Sequence, residues 1–318
     1  MHFMPYEIVD RHGTRSYATR EVAREHIVPR DGTPPYYRER LAATINGKTI
    51  REIFLYEPDT REVPLTSEIP TVKFGGLWTT GNLYLGEAAA TAQSGRRFVT
   101  FMTHRHLPLR VQLLDARHRK SPYLRTAQNG RAVIKAVIRR TGVEQVRASG
   151  HSYGGMTLPE MAAFAGEYIE SMVLQDPSGI GRHDIRLCAL VRKELMPASL
   201  HFLRLEDMPP DTMKNVLRHI TDNPVLSIRE VVGLKNPDIR PHLTAAKAKG
   251  VKVGLLVLGR SAIFNATENR HIAESEGLFH LIDEVPGAYH IDPNLRPGPI
   301  VEAQNRMFDA LTQLGKAA

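Results

Sequence analysis

The chain has 318 residues, of which 42% are apolar and 24% charged. That length holds one large domain or two modest ones of ~150 residues, and the apolar share excludes a disordered chain. Basic residues outnumber acidic ones by 42 to 34, for a net charge of +8. They are spread along the whole chain, with no run longer than Arg117-His118-Arg119-Lys120, and neither an RNA-binding aromatic signature nor a zinc-finger spacing accompanies them. The charge therefore reads as solvated surface, and no specific nucleic-acid partner is expected. The single cysteine, Cys188, excludes an intramolecular disulfide framework and a cysteine-cluster metal site. The longest apolar runs, near residues 173 and 255, fall short of the ~18 residues a spanning helix needs. Acids and a proline stand at the start of the chain where a signal peptide would carry its apolar core. A soluble, cytoplasmic protein with no membrane span is expected, its oligomeric state left open.

In chain order, residues 1–40 are polar, with prolines at 5, 29, 34 and 35, and show no sustained periodicity. They read as an N-terminal extension that wraps the surface or leads into the fold. Two strand-like runs around Asn46-Gly47 then announce a hairpin. After residue 70, apolar strands are expected at 71–74, 97–102, 145–149, 171–175, 251–258 and 279–284. Helical stretches alternate with them near 82–93, 126–140, 155–168, 266–276 and 299–315. This alternation implies an α/β fold, a mostly parallel sheet with helices on both faces. Residues 41–179 and 251–318 form its core. The stretch 180–250 breaks the rhythm: it contains no convincing strand, and apolar residues recur at helical spacing in 186–195 and 211–220. It reads as a helical cap inserted before the penultimate strand. Its apolar residues Leu187, Leu190, Leu195, Met196, Leu203 and Met213 would pack the cap and roof a hydrophobic pocket.

The sharpest motif is Gly150-His151-Ser152-Tyr153-Gly154-Gly155, which follows a strand and opens a helix. That is the setting of a nucleophile elbow: a tight strand-to-helix turn forces the serine into a strained backbone conformation and lifts its hydroxyl clear of the sheet. The flanking glycines admit neighbouring backbone without a Cβ clash. The helix N-terminus behind the serine favours developing negative charge. Pro159, in the second turn of that helix, is expected to bend or shorten it.

From about residue 40 to 318 the chain resembles the α/β-hydrolase fold superfamily, in its capped, serine-nucleophile form. The resemblance implies a triad in the order serine, acid, histidine. Ser152 matches the nucleophile. His290, in the Pro286-Gly287-Ala288-Tyr289-His290 loop before the last helix, matches the base. The acid usually follows the penultimate strand, but Ser261 and Ala262 stand there, and the next carboxylate is Glu268. A subset of the family carries the acid one strand earlier, which points to Asp176 in Gln175-Asp176-Pro177. For the oxyanion hole the resemblance implies the N–H of Tyr153 and one from Gly76 or Leu77. Here the family's usual His-Gly is replaced by Phe74-Gly75.

Trp78, His151, His104 and Arg105 are candidates to meet substrate. His104 and His106 begin no recognisable metal site, and no metal or other cofactor is implied. The resulting expectation is a serine hydrolase cleaving an ester, thioester or lactone of a small hydrophobic molecule through an acyl-enzyme on Ser152. Cleavage of a carbon–carbon bond flanked by ketones, acyl transfer to another acceptor, and a hydrolase-like binding protein with little turnover stay open.

Overall fold

A computed structural model describes residues 6–9, 15–18, 24–29, 31–45, 48–76, 84–101, 110, 113, 124–181, 221–233, 237–261 and 263–316. Strands β1 (Tyr6–Val9), β2 (Arg15–Ala18), β3 (Arg24–Val28) and β4 (Tyr36–Ile45) pair antiparallel in succession. The described parts of residues 1–40 therefore add strands to the sheet edge, where a surface wrap or a lead-in was expected. The reason they lack apolar alternation is visible in β3 and β4. Arg38 pairs with Glu25, Arg24 with Glu57, and Arg140 with Glu39, so charge pairs stand beside the few buried apolar residues, Ile27, Tyr36, Leu41 and Ala43. Pro34 and Pro35 sit between β3 and β4, where a missing N–H costs no ladder bond.

Strand β5 (Lys48–Pro58) returns antiparallel against β4, with Ile45 opposite Lys48; Asn46-Gly47, the expected hairpin turn, lies outside the described residues. The remaining strands are β6 (Ser67–Phe74), β7 (Arg96–Phe101), β8 (Val146–His151), β9 (Ile169–Gln175), β10 (Lys252–Leu258) and β11 (Leu281–Val285). The sheet runs β1-β2-β3-β4-β5-β7-β6-β8-β9-β10-β11, antiparallel as far as β7 and parallel from there on. Every strand expected after residue 70 is present, with its bounds shifted by a few residues.

Eight helices stand out among the described residues: α1 (Leu85–Gln93), α2 (Leu124–Thr141), α3 (Gly154–Ala165), α4 (Pro224–Gly233), α5 (Arg240–Ala248), α6 (Ala266–Ser275), α7 (Asp292–Leu295) and α8 (Pro297–Lys316). Helices α1 and α8 pack together on one face, and α2, α3 and α5 cover the other. The period-two alternation of the buried strands feeds both layers. Leu174, Leu255 and Val257 join Met156, Leu243 and Ala246 on the α3 side. Val173, Leu256 and Leu258 meet Ile300, Met307, Phe308 and Leu311 of α8. Burying each such side chain is worth roughly 1.5–3 kcal/mol.

Pro159 does not end α3, which continues through it to Ala165. Of the expected cap, residues 182–220 lie outside the described residues, and with them the two helically spaced segments and the six apolar roof residues. Helix α5 belongs to the core: it packs on α3 and buries Leu243 and Ala246. The core thus resumes ahead of residue 250. No helix among the described residues is long and apolar enough to cross a membrane.

Candidate active site

Strand β8 delivers Ser152 into the turn before α3. Its φ is +54°, and Asp176, directly after the neighbouring strand β9, has φ +44°; no other non-glycine residue among those described has a positive φ. Such conformations cost on the order of 1–3 kcal/mol each and persist only where their surroundings impose them. Here the surroundings do so with backbone bonds. The Ser152 N–H donates to Gln175 O at 3.1 Å, and the Asp176 N–H donates to Leu256 O at 3.1 Å. The two bonds pin both turns to the ends of adjacent parallel strands.

Glycine is required in this turn by close approach. A Cβ on Gly154 would lie 2.0 Å from Phe74 O and 2.6 Å from Gly75 O, so the loop after β6 passes directly against the elbow. A Cβ on Gly150 would lie 2.6 Å from Gly154 O. The G-x-S-x-G spacing is thus the spacing of two backbone crossings.

His290 lies in the loop between β11 and α7, and its Nδ1 is 2.6 Å from Asp176 Oδ2. Both groups are buried, at 5% and 2% exposure, which keeps water from competing for the bond. The loop is fastened on either side. The Tyr289 N–H donates to Asp292 Oδ2 at 2.8 Å, the Arg260 N–H donates to Ala288 O at 2.8 Å, and Phe264 packs edge-on against the His290 ring. At the usual acid position Ser261 Oγ accepts from the Phe264 N–H, and the next carboxylate, Glu268, sits in the first turn of α6. Asp176 is the carboxylate brought to the imidazole.

His151 is buried between Tyr84 and His290, with its Nδ1 3.0 Å from Tyr84 Oη and its Nε2 2.7 Å from His290 O. Both ring nitrogens are engaged within the protein, leaving none to meet a substrate as the sequence suggested. Burial, with His290 and Lys73 adding to it, holds its pKa well below the ordinary histidine range. The Gly76 N–H, one of the two residues expected to supply the second oxyanion donor, donates to Tyr84 Oη at 2.7 Å. Leu77, Trp78, His104 and Arg105 lie outside the described residues. Among those described, no group of three or more His, Cys, Asp or Glu side chains is placed to hold a metal ion.

Under the site lies a buried polar cluster that sequence reading missed. Lys73 Nζ reaches Glu87 Oε1 at 2.9 Å, Gln175 Oε1 at 2.5 Å and Ser149 Oγ at 3.3 Å, and Gln175 Nε2 donates to Gln304 Oε1 at 2.7 Å. The available signal was a lysine flanked by Val72 and Phe74 in a segment expected to be a buried strand. Burial pushes Lys73 below the ordinary lysine range, with Glu87 acting against that.

An antiparallel lead-in, a parallel sheet in this crossover order, a strained serine at the central strand end and a histidine loop after the last strand define the α/β-hydrolase fold. The chain has that fold, and solved structures share it across most of their length. The bromoperoxidase from Bacillus anthracis aligns at 13% identity over 85% of this chain and 99% of its own, with a TM-score of 0.56. A thermostable carboxyl esterase from Bacillus coagulans aligns at 16% identity over 86% and 98%, with a TM-score of 0.55. The enol-lactonase from Burkholderia xenovorans aligns at 17% identity over 85% and 99%, with a TM-score of 0.52. No family model and no curated protein matches the sequence.

Proposed function

We propose that the protein is a serine hydrolase acting on an ester-type bond, an ester, thioester or lactone. Ser152 Oγ attacks the carbonyl carbon while His290 Nε2 takes its proton. Collapse of the tetrahedral adduct breaks the bond to the leaving group, which receives that proton, and water then releases the acyl group by the same steps in reverse. Asp176 accepts the Nδ1–H of His290, fixing the tautomer and stabilising the imidazolium. The Tyr153 N–H at the start of α3 supplies one oxyanion donor. Because the Gly76 N–H is engaged by Tyr84, the second donor in this reading is the Leu77 N–H. The carboxyl esterase and the enol-lactonase that share the fold favour this bond class.

One observation carries the reading. Among the described residues the two non-glycine positions held at positive φ are Ser152 and Asp176, and the imidazole bonded to Asp176 is the one expected to serve Ser152. Strain kept at two such positions by the ends of two strands fits catalysis better than packing. A fluorophosphonate probe together with short p-nitrophenyl esters tests it. Wild-type protein is expected to label once per chain and to turn over ester, with both lost in Ser152→Ala. Folded wild-type protein that neither labels nor hydrolyses would make this a binding protein on a hydrolase scaffold.

A further inference from the structure

The hydrogen bonds behind Ser152 form a chain whose direction is set by its two ends. The Gly76 N–H can only donate, so Tyr84 Oη accepts it. The His290 carbonyl can only accept, so the ring proton of His151 sits on Nε2 and points to that oxygen. In the neutral imidazole Nδ1 is then the acceptor, and Tyr84 donates its hydroxyl proton there. The order is Gly76 N–H to Tyr84 Oη–H to His151 Nδ1, then His151 Nε2–H to His290 O. Tyr84, His151 and His290 are 2%, 3% and 5% exposed, so water does not compete along the chain. His151 also lies against the His290 ring, with centroids 4.8 Å apart.

We infer that His151 and Tyr84 are positioning residues, which tie the backbone of His290 to the nucleophile strand and to the Gly75-Gly76 turn. The inference rests on the reading of Ser152 and His290 given above. A histidine ring held only at Nδ1 by Asp176 pivots about that bond, and its Nε2 swings. A second tether at its own carbonyl removes the pivot. That tether comes from the residue covalently joined to Ser152, so base and nucleophile share one reference. Through Tyr84 the same chain reaches Gly76, next to the residue assigned the second oxyanion donor. The histidine between glycine and serine in the elbow is thereby a strut, not a pocket wall.

The test uses the full chain with His151→Phe, Tyr84→Phe and His151→Gln, plus Asp176→Asn to assign the far-downfield proton NMR signal of His290 Nδ1–H. His151→Phe is expected to slow fluorophosphonate labelling of Ser152 on the order of 10²-fold, the scale of a 1 Å misplacement of a reacting group. In ester turnover kcat should fall far more than KM rises, and the downfield signal should shift or broaden. His151→Gln, whose side-chain N–H can reach the same carbonyl, should recover most of the rate and the signal. A residue that only packs would lower Tm while leaving labelling per folded molecule and the signal unchanged, and that result overturns the inference. If wild-type protein fails to label, the hydrolase reading falls. The signal still decides this one, an unchanged resonance in His151→Phe refuting it and a displaced one upholding it. Should His151→Phe not fold, Tyr84→Phe, which removes a single oxygen, carries the same comparison.

Discussion

At the residue scale, Asp176 is where this chain departs most from the common α/β-hydrolase pattern, and it gives the most decisive substitution. Asp176→Asn keeps size but replaces a carboxylate acceptor with an amide that can also donate, and removes the charge facing His290 Nδ1 at 2.6 Å. It should leave the fold intact and cut turnover by up to ~10⁴-fold, as the wrong tautomer and an unsupported imidazolium demand. Glu268→Gln should run at the wild-type rate, because Glu268 sits in the first turn of α6, capped by Asn265. Steady-state kinetics of the two variants against Ser152→Ala check both statements. Asp176 could be singled out because a subset of the resembled family carries its acid after the strand that here ends in Gln175, and no other carboxylate stands near the usual place. Tyr84 could not, since a lone tyrosine ahead of a helix carries no periodic or spacing signal. His151 was singled out for the wrong partner: the motif gives its position but not the direction of its ring.

At the element scale, β9 and β10 were readable because burial on both faces demands short apolar runs, which Met172–Leu174 and Val253–Leu258 supply. Strands β6 and β8 carry only shorter apolar stretches interrupted by polar residues. Lys73 is one of those polar residues. Its ammonium pairs with Glu87 on α1 and bonds Gln175, next to Asp176, so the polar cluster joins β6, α1, β9 and α8 beneath the site. Lys73→Met alone should destabilise by about 3–5 kcal/mol, because it strands the Glu87 carboxylate in a site with no exposure. Lys73→Met combined with Glu87→Leu should recover most of that loss, since apolar groups of similar volume replace an ion pair at little net cost. Urea unfolding of the single and double variants measures the difference. An equal loss in both would mean that the hydrogen bonds to Gln175 and Ser149, not the buried charge, hold these elements together.

At the scale of the whole molecule, the sheet joins an α/β-hydrolase-fold core to antiparallel strands β1–β3 that sequence patterning did not reveal, and ion pairs and hydrogen bonds help to hold β3 there. Asp59, at the end of β5 and buried, is a main anchor: it bonds His26 of β3 at 2.9 Å and Arg61 at 2.6 Å. Hydrogen bonds from Arg61 are the chief cause that holds its carboxyl down at about 2, with His26 adding. In the unfolded chain the same group titrates near 4. Between those two values the unfolded state binds more protons than the folded one, so stability rises with pH across that window. The contribution is complete above about pH 5 and is lost as the pH falls through 2. Arg61 is exposed and its pairing is screened by solvent, which leaves on the order of 1 kcal/mol for the effect. Asp59→Asn should therefore be less stable than wild type at pH 7 by that amount, and the gap should close steadily below pH 4. Urea midpoints taken from pH 7 down to pH 2.5 measure it. A gap that stays constant across that range would assign the loss to altered packing at the β3–β5 edge and remove Asp59 as the acid-sensitive link between the added strands and the core.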